Sequence, residues 1–162
     1  ELLQNNHFFS ILSTQQLSKL LKMSPIRSYG PGEIIAIEQE SGDSLFMLID
    51  GQVSIIKSHS EQQTTEVAKL QSGDICGEMT VFTDAPRSAT IRSHSQSDIL
   101  EIDRHAIAEL IEEEPILLER FSQLVSERQE ILNNLDTRED TIPSTRCDIF
   151  GRVKELFDTL LT

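Results

Sequence analysis

The sequence predicts a mainly β member of the α+β class: an antiparallel β-barrel or jelly roll with helices before and after it. Three observations carry that reading. Six of the seven glycines fall between Gly30 and Gly77, which concentrates the tight turns there. From Ile26 to Asp103, short β-branched runs alternate with turn signals at Gly30-Pro31-Gly32, Ser41-Gly42-Asp43, Asp50-Gly51 and Ser72-Gly73-Asp74. After Asp103 the apolar residues change to three- and four-residue steps, the period of a helix with one buried face.

The N-terminal 25 residues are predicted to be helical. Leu2 to Ser10 reads as a lead-in helix anchored by Leu2, Leu3 and the Phe8-Phe9 pair. Ser13 then caps a second helix, with Gln16 three residues on as its capping-box partner, and Pro25 stops it. Strands are expected near 26–29, 33–38, 45–49, 52–57, 64–70, 87–93 and 98–103, a density that suits a barrel of antiparallel ribbons. Residues 58–63 read as an exposed hairpin tip. Residues 104–112 form a helix on Ile107, Leu110 and Ile111, and Pro115 opens a longer one to 135 at a position where proline is tolerated. Residues 136–147, with Pro143, form a polar linker. Asp148 caps a final amphipathic helix over 148–162, carrying Ile149, Phe150, Val153, Leu156, Phe157, Leu160 and Leu161 on one face.

Composition narrows the function. One hundred and sixty-two residues suit one domain with a real core. No apolar run approaches the roughly 18–20 residues of a membrane span. A net charge of −13 argues against general affinity for nucleic acid or an anionic membrane. The acid is concentrated: residues 101–140 hold 12 acids against 4 bases. Cys76 and Cys147 form neither a metal-ligand spacing nor a disulfide framework, which fits a reducing cytoplasm. The start at Glu1, without a signal-like segment, reads as a fragment of a longer protein. His7, His59, His94 and His105 share no spacing with each other or with a cysteine, so no metal site is expected. No serine–histidine or paired-carboxylate arrangement suggests catalysis, and the chain is expected not to be an enzyme.

The chemistry is expected in residues 73–90. Gly77 allows the backbone to approach a ligand closely. A short helix over Glu78 to Phe82 would present its first free N–H groups and positive end to an anion. Arg87 supplies a planar fork of five donors, always charged, suited to gripping two phosphate oxygens. Glu78 can accept hydrogen bonds from sugar hydroxyls.

The order Gly77-Glu78, an apolar run, then Pro86-Arg87-Ser88-Ala89-Thr90 closely resembles the phosphate-binding cassette of cyclic-nucleotide-binding domains. Gly30-Pro31-Gly32-Glu33-Ile34-Ile35 and Gly42-Asp43-Ser44-Leu45-Phe46 resemble the opening strands of the same family, so the likeness covers about residues 8–135. The resemblance implies that Glu78 holds the ribose 2′-hydroxyl and that Arg87, with nearby backbone amides, holds the cyclic phosphate. Cys76, Gly77, Met79, Ser88 and Ala89 complete the implied ligand set. Cys76 stands where the family often has an aromatic residue, which leaves less bulk behind the phosphate. Residues 104–135 correspond to the hinge and lid helices, and Leu124, Val125 and Arg128 are the candidates to meet the base. Ser88, directly after the cassette arginine, favours cAMP over cGMP as ligand.

The resulting expectation is a regulatory cyclic-nucleotide sensor fused to an effector, cytoplasmic or the cytosolic part of a membrane protein. The segment from Phe150 to Phe157 loosely resembles the tail of bacterial mechanosensitive-channel-like proteins gated by cyclic nucleotides, which points to an ion channel as effector. The C-terminal helices could also join copies of the chain into a homo-oligomer. Two rivals remain. One is the sensor half of a catabolite-activator-type transcription factor, which would need a helix-turn-helix beyond this chain. The other is a degenerate interaction module that binds no nucleotide.

Overall fold

The computed structural model describes residues 1–135 and Phe157. Two helices lead, α1 (Leu2–Asn5) and α2 (Thr14–Met23). Strands β1 (Ile26–Tyr29), β2 (Ile34–Ala36), β3 (Ser44–Asp50), β4 (Val53–Ser60), β5 (Gln63–Leu70) and β6 (Ile75–Cys76) follow, then helix α3 (Glu78–Thr83). Strands β7 (Thr90–Ser93) and β8 (Ser97–Asp103) and helices α4 (Arg104–Glu113) and α5 (Ile116–Leu135) complete the order. The strands form two four-stranded sheets, β1-β8-β3-β6 and β2-β7-β4-β5. Every pairing within them is antiparallel.

The continuous apolar run of β3 is explained by its place. Successive side chains of a strand point to opposite faces. Leu45 and Met47 therefore join the core shared with the helices, while Phe46 and Leu48 fill the space between the sheets. Strand β8 divides in the same way, with Leu100 and Ile102 toward the helices and Ile99 toward the barrel interior. The helix-side core is the larger. It includes Phe8, Phe9, Phe82, Phe121 and Phe157, whose rings form a connected set with centroids 5.2–5.8 Å apart. Such contacts exceed what area burial alone provides by roughly 0.5–1.5 kcal/mol per pair.

Most predicted elements are present, and the differences have local causes. The lead-in helix ends at Asn5 rather than Ser10. Asn6 is extended, its side-chain oxygen accepts from the Phe8 N–H, and its amide donates to the Gly73 carbonyl, both at 2.9 Å. An asparagine that bonds the backbone two residues on offers the chain a turn in place of another helical turn. The capping box at Ser13 and Gln16 forms as expected. The hairpin tip is tighter than 58–63, because β4 runs to Ser60 and β5 starts at Gln63. The strand expected from 87 begins at Thr90. Arg87 lies ahead of it, pairing with the loop before β3: its N–H donates to the Glu40 carbonyl and its carbonyl accepts from Gln39 N–H, at 2.9 and 2.8 Å. The two-residue β6 was not expected at all. The final helix over 148–162 lies outside the described residues apart from Phe157.

Candidate functional site

Strand β6 fixes the cassette to the sheet, with Ile75 opposite Met47 and Cys76 opposite Phe46. The chain then turns at Gly77, whose φ of +83 lies in the left-handed region that glycine occupies without strain. Helix α3 starts on the next residue, and its N-terminus has no side-chain cap.

The Arg87 side chain comes back to this turn. Arg87 is 5 % exposed, and its guanidinium carbon sits 5.0 Å from the centroid of the Phe46 ring. One of its nitrogens, Nη1, donates to the Ser44 carbonyl at 2.6 Å. Among the described residues no carboxylate pairs with it. Space around the fork is kept by two glycines. A Cβ at Gly77 would stand 2.6 Å from Nη1, and one at Gly42 would stand 2.5 Å from Nη2 and 2.6 Å from Nε. Among the described residues, Ser24 Oγ alone is a fully buried side-chain polar atom lacking a partner. Burial lowers the guanidinium pKa, with Cys76, Asp43 and Glu101 acting in the opposite direction. Arginine is basic enough to stay charged at neutral pH even so. The arrangement is a charged, largely buried fork, with one hydrogen bond to the protein among the described residues and two glycines that leave room for it. That geometry fits a small anion with two oxygens to offer.

Glu78 is the first residue of α3 and is 4 % exposed. Its Oε1 accepts from Arg128 Nε of α5 at 2.9 Å, and the arginine itself is half-exposed. The remaining cassette candidates divide. Ser88 is exposed, Ala89 buried, and Met79 partly buried against the helix-side core. Cys76 is a free, partly buried thiol. Desolvation pushes its pKa well up, Glu78 adds to the rise and Arg87 opposes it, so it stays protonated at neutral pH and is a poor nucleophile.

Of the lid candidates, Arg128 reaches the cassette. Val125 is fully buried in the core that also holds Val81 and Phe82 of α3. The reason is spacing, since Leu117, Phe121 and Val125 follow one another at four-residue steps and form the stripe that faces the barrel. Leu124 is partly buried against the same core.

Sequence reasoning missed Ser44, Phe46 and Arg104 as neighbours of the cassette. Gly42-Asp43 was legible as a turn but not as a wall for Arg87. Among the described residues, no group of three or more His, Cys, Asp or Glu side chains could hold a metal ion, and no helix is long and apolar enough to cross a membrane.

Comparison with known proteins bears on this geometry. The family model for the cyclic nucleotide-binding domain matches residues 26–114. The rice potassium channel AKT3 is 25% identical over 138 residues, which is 80% of this chain and 15% of the channel. A cGMP-dependent protein kinase of Eimeria tenella is 32% identical over 97 residues, 60% of this chain and 9% of the kinase. The chain thus spans a small part of either relative's length. The crystal structure of the Thermus thermophilus catabolite activator protein superimposes with a TM-score of 0.69 at 25% identity, covering 80% of this chain and 61% of that one. A matched model from β1 through α4 and a shared barrel agree with one another. The chain belongs to the cyclic nucleotide-binding domain family.

Proposed function

We propose that the chain is a regulatory sensor for a cyclic nucleotide, with cAMP preferred to cGMP, that switches an attached effector through its C-terminal helices. The observation that carries this reading is the state of Arg87, buried and charged, with one hydrogen bond to the protein among the described residues and with Gly42 and Gly77 leaving room for its fork. A cyclic phosphate supplies the acceptors that such a fork lacks. Glu78 would take the ribose 2′-hydroxyl through Oε2, because Oε1 is paired with Arg128. Ser88 follows the cassette arginine and favours adenine.

The signal is a change in the relation of α4 and α5 to the barrel. A ligand shifts such an equilibrium only by its differential affinity for the two arrangements. Arg128 supports a role for α5, because it ties the far half of that helix to the acid that would hold the sugar. The effector proposed is an ion channel, a class to which one relative belongs by name. The sensor half of a catabolite-activator-type regulator is the second reading, favoured by the superposition on the Thermus thermophilus protein. The site is proposed to be cytosolic and regulatory rather than catalytic.

The test is calorimetric titration of the folded chain with cAMP and with cGMP. Binding of cAMP more tightly than cGMP is the expected result. Binding of cGMP alone would overturn the base preference, and no binding of either would overturn the sensor reading.

A further inference from the structure

The face of the sheet that carries Phe46 holds more charge than that of Arg87. Residues directly opposite each other in an antiparallel pair point to the same face, with Cβ atoms about 5 Å apart. Phe46 of β3 stands opposite Glu101 of β8 on one side and opposite Cys76 of β6 on the other. The Arg87 guanidinium lies over that Phe46 ring, so Glu101 is its neighbour one strand away. Arg27 of β1 is opposite Ile99, two residues from Glu101, and therefore shares the face.

Both oxygens of Glu101 are held. Its Oε1 accepts from Ser44 Oγ at 3.1 Å, and its Oε2 accepts from Arg27 Nε at 2.6 Å. Ser44 is buried and its own carbonyl takes the Arg87 bond, so the carboxylate is anchored to the residue that orients the fork. Glu101 is partly buried, whereas Arg27 is exposed on the outermost strand of the sheet. Water therefore screens the Arg27 charge more than the Glu101 charge, and the pair does not cancel at the site. Burial lowers the Arg87 pKa, and Cys76, Asp43 and Glu101 oppose that change, so the field of Glu101 reaches the guanidinium.

Repulsion between a fixed charge and a ligand grows in proportion to the charge of the ligand. A cyclic phosphate is a diester with one negative charge. A 5′-phosphate is a monoester with a second ionisation at about pH 6, so it carries nearly two at neutral pH. A fixed carboxylate beside the site therefore costs the monoester about twice what it costs the diester. Arg87 alone would give the opposite bias, because a lone cation attracts the dianion more strongly.

We propose that Glu101 is a specificity-determining residue: its fixed charge favours a singly charged cyclic phosphate over a doubly charged 5′-phosphate, and Arg27 on the sheet edge sets how strongly it does so. The inference rests on the sensor reading above and deepens it.

The test is the affinity of the whole chain for cAMP and, by competition, for 5′-AMP, in the parent, Glu101→Gln and Arg27→Gln, at low and at high salt. Glutamine keeps the size of the acid and an oxygen for the Ser44 hydroxyl. In Glu101→Gln, cAMP should bind about threefold more tightly and 5′-AMP about tenfold, so discrimination falls about threefold. Arg27→Gln leaves the acid without its counter-charge and should weaken the two ligands by about the same factors, so discrimination rises. Both changes should shrink as salt is added. A merely structural role would weaken binding in both variants and would not give opposite signs. Changes of one direction in both variants, or equal changes for the two ligands, would overturn the proposal. A parent that binds no cAMP overturns the sensor reading and this inference with it. A parent that binds cAMP, with variants that leave the ratio unchanged, overturns this inference alone. Tyr29, the single tyrosine of a chain without tryptophan, gives a check that needs no ligand. It stands on the same face, opposite Ser97. Burial raises its pKa, Glu101 adds to the rise and Arg27 opposes it. Ultraviolet titration of the phenol should show a lower pKa in Glu101→Gln and a higher one in Arg27→Gln. Unchanged values in both would mean that the Glu101 charge does not act across this face, and the proposal would fall.

Discussion

Two arginines bracket the short cassette helix, and they are buried for different purposes. Arg104 stands at the C-terminal end with its fork committed to two carbonyls and a carboxylate. Arg87 stands at the N-terminal side, also buried, with one acceptor among the described residues, an aromatic ring beneath it and two glycines beside it. A guanidinium whose donors are satisfied by the protein is part of the scaffold. One that is desolvated with donors to spare leaves bonds for something else to complete, because a buried polar group without partners costs free energy. The number of free donors, rather than burial or charge, separates the two roles.

Breaking the ligand side of the comparison should have the largest effect. Arg87→Ala removes charge-assisted bonds to a phosphate and is expected to weaken cAMP binding by roughly 10²-fold or more, about 2.7 kcal/mol. Its unfolding midpoint in urea should move little, since the described residues give this fork one hydrogen bond. Retained affinity in titration would remove Arg87 from the site and leave the comparison without a basis.

The glycine walls come next. Gly42→Ala puts a methyl 2.5 Å from Arg87 Nη2, closer than atoms tolerate, so the fork must shift. Affinity should fall about tenfold with a stability change below about 1 kcal/mol. Gly77→Ala adds backbone strain at a φ of +83 to a similar clash, and should cost roughly 1–2 kcal/mol of stability as well. Comparing the two variants by titration and by denaturant unfolding separates crowding of Arg87 from strain of the turn. Equal stability losses would mean that the left-handed turn contributes nothing of its own.

Much of this region was legible in the sequence because its signals are local. Glycine spacing marked the turns, Ser13 with Gln16 marked a helix start, and the order from Gly77 to Thr90 marked the candidate cassette. What the sequence did not show depends on contacts between distant residues. The Ser44 carbonyl has no side-chain signature at all, and β6 is two residues long because it needs to pair only with Phe46 and Met47. Val125 was legible as part of an apolar stripe, but such a stripe does not declare what it faces. The four-residue steps from Leu117 place it in the core. Arg104 read as an unremarkable first residue of a helix, since its partners lie 20 to 24 positions earlier in the chain.

Cys76 allows the electrostatics of the comparison to be tested without altering either arginine. Its thiol lies in the field of Arg87 and Glu78, and its pKa is raised in the folded chain, chiefly by burial. Below the ordinary thiol value, about 8.5, folded and unfolded chains are both protonated and the contribution to stability is whole. Above it the unfolded chain releases the proton that the folded chain keeps, so stability falls as pH rises, by up to about 1.4 kcal/mol per pH unit. Unfolding of parent and Cys76→Ala at pH 7.5 and pH 9.5 should show the extra alkaline loss in the parent alone. Equal losses would place the thiol in contact with water in the folded state.

The smallest effect is expected at Arg128, a third arginine that faces the cassette and lies between the other two in character. Its bridge to Glu78 is short, but its side chain is about half-exposed, so screening and side-chain freedom limit what the pair contributes. Arg128→Gln should cost less than about 1 kcal/mol of stability at low salt, and the difference from the parent should shrink as salt is added. Because Glu78 keeps a second oxygen for a sugar hydroxyl, cAMP affinity should change by less than about fivefold. Titration of this variant at two salt concentrations checks both statements. A loss near that of Arg87→Ala would mean that Arg128 itself grips the nucleotide, and α5 would then carry part of the binding site as well as its signal.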